Sequence, residues 1–232
     1  AAGHAALGIT CEDVILEGGG YAGITLVAEL PYSRATNGGT RCVVFARADD
    51  PVDNAHRIPK AADIVSEYPI ETHGFLKARA LDAVVHPCSG SAEAFVVIGK
   101  YRYGVALTET GTSLRVNGLK EIGELFKSRT VLIANDSAYE EKRELFDFIG
   151  RILRGALDAR GKVYLVMHVP VGKLNMVRNI LPSLKTPTVQ QLNEELYSVA
   201  SVVPTDGINE LKMRLVELGA GGFVELDPGS VM

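Results

Sequence analysis

The chain has 232 residues, 47% of them hydrophobic, which is enough to bury more than one core, so two or three domains are expected. Its 24 basic against 28 acidic residues give a formal charge of −4, which argues against broad electrostatic capture of nucleic acid or of an acidic membrane surface and leaves phosphate-binding cations to local clusters. Cys11, Cys42 and Cys88 are odd in number and far apart, without the pairing that a disulfide framework or a zinc site requires, and no apolar run reaches the roughly 18 residues of a spanning helix.

The opening AAGHAALGIT has no basic stretch leading an apolar one, so no secretory leader is read there, and a soluble protein of the reducing cytoplasm is expected. From there the elements follow in order. Residues 7–10 read as a short strand, a helix starts near Glu12, and two apolar runs follow at 24–30 and 42–46. Between them PYSRATNGGT carries Pro, Asn-Gly and Gly-Gly signals of a loop. Residues 61–65, 83–85 and 95–98 read as short buried strands around a helical pattern at 75–80, the alternation of an α/β lobe.

At 107–122 the string LTETGTSLRVNGLKEI sets hydroxyls and backbone amides around Gly111, where a glycine lets backbone approach a ligand. Thr110, Thr112 and Ser113 supply the hydroxyls. Leu119, Ile122, Leu125 and Phe126 fall on one face of a predicted helix behind the turn, so the segment reads as a phosphate cradle. Turns of this composition also connect or cap elements without binding anything. Residues 131–134 read as a strand, and Ser137 with Glu140 forms a capping-box signal for a long helix through Leu145, Ile149, Ile152, Leu153 and Ala156 that stops at Gly161.

The last segment is regular. A strand at 163–169, a helix face of Leu174, Val177, Ile180 and Leu181, a weak strand at 188–192, a strand at 198–203, a helix capped by Asp206 and ended by Gly219, and a strand at 222–226 give βαββαβ order, a ferredoxin-like unit. The histidines His4, His56, His73, His86 and His168 show no ligand spacing. No Walker A pattern is present, because no GK[ST] follows a glycine at the required distance.

Taken together, ETGTSLRVNGLKEI, SRTVLIAND from Ser128, LGITCEDVILE from Leu7, SEYP from Ser66, SGSAEA from Ser89 and LPSLKTPTV from Leu181 resemble, in order, the segments of the ATP phosphoribosyltransferase family. The resemblance implies the long form: two periplasmic-binding-protein-like α/β lobes plus a C-terminal ferredoxin-like domain. The expected division is 1–45 with 130–160 as the first lobe, its amino-terminal part apparently missing, 46–129 as the second, and 161–232 as a regulatory domain. It implies transfer of a phosphoribosyl group from phosphoribosyl diphosphate to the adenine ring of ATP with Mg²⁺, in the first step of histidine biosynthesis. It also implies feedback by histidine and homo-oligomers from dimer to hexamer.

On the same resemblance, Gly111, Thr112, Ser113 and Leu114 hold the sugar phosphate and Glu109 and Thr110 are catalytic, Glu109 also meeting the metal. Ser89, Gly90, Ser91 and Glu93 form a second substrate turn, Thr10 and Asp13 an ATP-side turn, and Thr188 lines the effector site. Arg115 and Lys120 are candidate phosphate neutralisers or members of a solvated face. Many family members carry an acid where this chain has Ala106, and another where it has Arg102. A second reading therefore stays open, a non-catalytic two-lobed ligand-binding and amino-acid-sensing protein.

Overall fold

The computed structural model describes residues 5–32, 39–182 and 186–231. The chain divides into two compact units, Ala1–Gly150 and Arg151–Met232. No helix among the described residues is long and apolar enough to cross a membrane.

The first unit holds two sheets. One has the order β1-β8-β2, all antiparallel, from β1 (Leu7–Cys11), β2 (Ile24–Leu30) and β8 (Thr130–Asn135). Helix α1 (Glu12–Glu17) leaves β1, and α5 (Asp136–Ala159) leaves β8. Gly150 of α5 lies against Ala28, Val27 and Leu132, a close approach that a side chain would obstruct.

The other sheet has five strands in the order β5-β4-β6-β3-β7, built from β3 (Thr40–Arg47), β4 (Ala62–Ser66), β5 (Ala83–Pro87), β6 (Tyr103–Thr108) and β7 (Leu119–Ser128). Strands β5, β4 and β6 run parallel, whereas β3 is antiparallel to both β6 and β7. Helices α2 (Pro69–Ala78), α3 (Ala92–Val97) and α4 (Thr112–Val116) complete this lobe. The run CVVFA of β3 is buried on both faces. Cys42, Val44 and Ala46 enter one core with Ile64, Tyr103, Val105 and Phe75, and Val43 and Phe45 enter a second with Val65, Val96, Ala106 and Leu114. Opposite Phe45 in register stands Gly104, where a Cβ would lie 2.4 Å from the Phe45 ring, so only glycine leaves room for it.

Several expectations change here. Because β3 pairs on both sides within the five-stranded sheet, Thr40–Arg47 goes with the second lobe and not with the first, to which residues up to 45 were expected to belong. Residues 119–126 form a strand, not a helix. Two irregularities in its pairing with β3 place Leu125 and Ile122 out of step with their neighbours, and the ordinary alternation is thereby converted into a spacing that mimics a helical face. Residues 95–98 lie in and just beyond α3 rather than in a strand: Ala92 and Val96, one helical turn apart, are buried while Val97 and Ile98 are exposed. The cap of α5 is Asn135, whose side chain accepts from the amide and hydroxyl of Ser137 at 3.1 and 2.7 Å, in place of the Ser137–Glu140 box.

The second unit contains β9 (Lys162–Pro170), α6 (Leu174–Ile180), β10 (Thr188–Gln191), β11 (Leu196–Pro204), α7 (Ile208–Glu217) and β12 (Gly221–Leu226), in the antiparallel order β10-β11-β9-β12. This is the ferredoxin-like arrangement. Its core gathers Leu165, Met167, Val177, Val199 and Leu215. The cap position of α7 is Gly207, with no side-chain cap from Asp206. Residues 33–38 of the expected insertion, 183–185 of LPSLKTPTV, and His4 lie outside the described residues.

The two lobes of the first unit are joined through one buried carboxylate. Asp13 on α1 is 3% exposed. It accepts from the Ser128 hydroxyl at the end of β7 and from the Tyr68 hydroxyl at 3.1 Å, while its own amide donates to Ser128 Oγ at 3.1 Å. Nearby, Glu17 accepts from the amides of Ile70 and Glu71 in the first turn of α2 at 2.9 and 3.2 Å, where a carboxylate complements the helix dipole. Asp13→Ala strands two hydroxyls and is expected to lower the unfolding free energy by about 2 kcal/mol. Urea titration followed by circular dichroism checks this, with Asp13→Asn, which keeps an acceptor, losing less.

Candidate functional site

Strand β6 delivers the chain to Thr108, and the next residues turn back sharply. The turn is closed by a side chain, since Thr108 Oγ1 accepts from the Gly111 amide at 3.0 Å. Gly111 has φ 69°, the left-handed region that glycine enters without strain. Behind it α4 is short, and Leu114, 1% exposed in the core, pins it down. The side chain of Leu114 is therefore an anchor, and only its backbone faces the role expected of it.

The exposed hydroxyls are ordered by one cation. Arg115 folds back over the turn, donating to the Thr110 carbonyl at 3.2 Å and to Thr112 Oγ1 at 3.0 Å. Thr110 Oγ1 donates to Thr112 Oγ1 at 2.9 Å. A hydroxyl has one proton and two acceptor sites, so Thr112, which accepts twice, retains its proton for an outside acceptor. Ser113 instead donates to Glu93 Oε2 at 2.8 Å. That bond ties the turn to α3, so the two hydroxyl-rich segments expected from sequence are brought together.

Beside them is a cavity of about 500 Å³ lined by Glu67, Ser91, Glu93, Ala94, Val97, Ile98, Ala106, Leu107 and Asn117. Ser91 enters α3 with φ 64°, following Gly90 at φ 79°. Glu67, just past β4, accepts from the Ala92 amide at 3.2 Å. Two carboxylates thus border the cavity, and Ala106 forms part of its wall. Burial and then the charge of Glu67 push the nearby Cys88 thiol up, which favours its neutral form.

The remaining expected residues do not line that cavity. Ser89 and Gly90 are exposed on the turn before α3, and Glu109 is half-buried between β6 and Gly111. Thr10 lies on β1 opposite Val131, and Asp13 is engaged by Ser128 and Tyr68. Thr188 is exposed on β10, opposite Ala200. Lys120 donates to the Asp50 carbonyl, away from the turn. Sequence reasoning did not single out Glu67, Arg41 or Glu121; SEYP was the one signal that pointed near the first.

Among the described residues no group of three or more His, Cys, Asp or Glu side chains is gathered as a metal cage. A divalent ion carried by a polyphosphate needs only one or two carboxylates with water completing its shell, and Glu67 and Glu93 are the two carboxylates that line the cavity.

Arg102 lies away from this cavity. Its guanidinium donates twice to Asp50, at 2.6 and 3.1 Å, and with the Val52 amide it holds the Asp50 carboxyl below the ordinary carboxylate range.

A family model described as ATP phosphoribosyltransferase matches residues 1–155, and one described as HisG, C-terminal domain, matches residues 159–227. The ATP phosphoribosyltransferase of Solidesulfovibrio magneticus is 35% identical over 221 residues, covering 94% of this chain and 74% of the relative. The ATP phosphoribosyltransferase 1 of Geobacter sulfurreducens is 35% identical over 202 residues, covering 86% and 69%. Among solved structures, the ATP phosphoribosyl transferase (HisG:HisZ) complex from Thermotoga maritima is similar with a TM-score of 0.55 and 25% identity, over 67% of this chain and 72% of that one.

The Asp50–Arg102 pair yields a signed pH prediction. A carboxylate whose folded-state pKa is depressed stabilises above its unfolded value and loses that contribution as pH falls through the folded one. The stability difference between the parent and Arg102→Ala is therefore expected to be constant above about pH 5 and to close below about pH 4. Urea midpoints measured across that range check it.

Proposed function

This chain belongs to the ATP phosphoribosyltransferase family, and from that premise we propose which of its residues carry the reaction. It is a pentosyltransferase of histidine biosynthesis, joining the phosphoribosyl group of phosphoribosyl diphosphate to the adenine ring of ATP with release of pyrophosphate. The chemistry requires the sugar phosphate fixed, the leaving group neutralised and the attacking nitrogen held on the opposite face of the anomeric carbon. Positioning and preorganised charge supply most of such a rate enhancement, without a protein nucleophile.

We assign the 5′-phosphate to the Gly111 turn. The observation that carries this is the Thr112 hydroxyl, which accepts from both Arg115 and Thr110 and so directs its proton outward beside a left-handed glycine. Arg115 adds a guanidinium suited to phosphate geometry. Gly111, Ser113 and the backbone of Leu114 complete the cradle, with Ser113 released from Glu93 when the ligand arrives. Glu109 and Thr110, at the start of the turn, are assigned to the ribose side and to the developing positive charge of the sugar.

Ser89, Gly90, Ser91 and Glu93 are assigned to the substrate side of the adjoining cavity. Mg²⁺ is the divalent ion proposed, held by Glu93 and Glu67 with Glu109 as a further carboxylate, and it would neutralise pyrophosphate oxygens when bound. The end of β1 at Thr10 is assigned to ATP, with Asp13 in the first turn of α1 holding that end in place rather than touching the nucleotide. The carboxy-terminal unit, 161–232, is assigned to histidine sensing, with Thr188 at the effector position. A cytoplasmic homo-oligomer, from dimer to hexamer, completes the reading.

Pyrophosphate release, measured on the full chain with ATP, phosphoribosyl diphosphate and Mg²⁺, tests the activity; absence of turnover overturns it. In Gly111→Val a branched side chain meets both a positive φ and the Glu121 carboxylate, whose Oε1 would lie 2.5 Å from the new Cβ. Displacement of the turn by about an ångström is expected to lower kcat/KM for phosphoribosyl diphosphate about 10²-fold. Unchanged affinity by calorimetry would remove the assignment.

A further inference from the structure

Beneath the Gly111 turn lies an ion pair drawn from strands that sequence order separates widely. Arg41 on β3 stands in register with Thr108, the residue whose hydroxyl closes the turn. Its guanidinium grips Glu121 of β7 with both arms, Nη1 to Oε2 at 2.8 Å and Nη2 to Oε1 at 3.0 Å, and reaches Glu124 at 3.5 Å. Both partners are about 30% exposed, Arg41 at 29% and Glu121 at 30%. The same Oε1 abuts Gly111, since a Cβ there would lie 2.5 Å from it and 3.3 Å from Nη1 of Arg115.

A carboxylate directly under a turn that receives an anion is an electrostatic liability. Unpaired, it would repel the incoming phosphate at short range, from a position that solvent reaches and screens only in part. Paired to Arg41, its charge is offset while it still gives Gly111 a fixed surface to rest on. A bidentate guanidinium–carboxylate pair is also geometrically specific, so it holds the carboxylate in one place rather than merely nearby.

We propose that Arg41 is a positioning residue for phosphoribosyl diphosphate: it neutralises and orients Glu121 under the Gly111 turn, and thereby sets the affinity of that turn for the sugar phosphate. This rests on the assignment of the turn to the 5′-phosphate. Arg41 does not touch the substrate. Its effect is carried by Glu121, and this distinguishes it from a cation that binds phosphate directly, because removing Glu121 as well should abolish the need for Arg41.

The test is a double-mutant cycle in the full-length protein, reading KM for each substrate, kcat, thermal midpoint and salt dependence. Arg41→Gln is expected to raise KM for phosphoribosyl diphosphate about tenfold at low salt, with KM for ATP and kcat changed less than about twofold, and the defect should shrink as added salt screens Glu121. Arg41→Lys, which keeps the charge and loses the fork, falls between the two. Arg41→Gln combined with Glu121→Gln should recover most of the lost affinity. A double variant as defective as Arg41→Gln alone, or a defect equal for both substrates and indifferent to salt, would overturn the proposal; so would a normal KM for phosphoribosyl diphosphate in Arg41→Gln. If Arg41→Gln fails to fold, Arg41→Lys decides, since its looser grip on Glu121 must raise KM for phosphoribosyl diphosphate more than KM for ATP, and equal or absent effects on the two overturn the proposal. Should Gly111→Val abolish phosphoribosyl diphosphate binding while this cycle shows no coupling, the turn keeps its function and only the role of Arg41 falls.

Discussion

A carboxylate placed out of water must be given donors, and at Asp13 that requirement decides how the two sheets of the first unit meet. Leaving such a group unpaired costs several kcal/mol, far more than a typical net hydrogen bond contributes. The donors come from the end of β7 and from the residue before α2, both in the five-stranded lobe, while Asp13 itself is on α1 of the three-stranded one. Glu17, four residues on, repeats the device more openly by accepting from two amides at the start of α2. Apolar contact alone would tolerate sliding between lobes. Two carboxylates with directional partners do not, and Tyr68, whose hydroxyl burial and the Asp13 charge push up, stays protonated and keeps donating.

The Gly111 turn is governed by the same logic on a smaller scale. Its backbone conformation is dictated by polar side chains rather than by a regular element: Thr108 takes the Gly111 amide, Arg115 takes the Thr110 carbonyl, and Glu93 takes the Ser113 hydroxyl. Leu114 supplies the apolar anchor from below. A turn built this way is preorganised, so less ordering remains to be done when the ligand binds. The groups engaged in holding it differ from the one left to donate: Ser113 gives its proton to Glu93, whereas Thr112 only accepts within the turn.

Sequence reasoning reached most of the architecture because most of it is encoded locally. The both-faces-buried run at Cys42 to Ala46, the parallel strands β4 and β5, the long helix α5 and all six elements of the carboxy-terminal unit carry periodicity or turn chemistry within their own residues. It misread β7 because the irregular pairing that breaks its alternation depends on β3, some eighty positions earlier, and no local window contains that information. It misread α3 because a run of Ala, Phe, Val and Ile is compatible with either period until Ala92 and Val96 meet the core. In the site, the hydroxyl-rich turns were legible as motifs. The Arg41–Glu121 pair was not, because its members are 80 residues apart and each alone reads as an ordinary surface charge.

The two departures from the family pattern separate once their surroundings are known. Arg102 is committed to Asp50, so an acid at that position would face another acid; the substitution belongs to the packing at the start of β6 and not to the cavity. Ala106 is different, because it forms part of the cavity wall with Glu67 and Glu93. A carboxylate there would back onto the core of Val96 and Leu114, and would have to be charged in a largely apolar setting at a cavity that Glu67 and Glu93 already line. With Glu67 and Glu93 already supplying acceptors at the same cavity, alanine avoids that cost without emptying the wall of carboxylates. The loss at position 106 is thus compatible with a working site whose acidic groups come from the end of β4 and the first turn of α3.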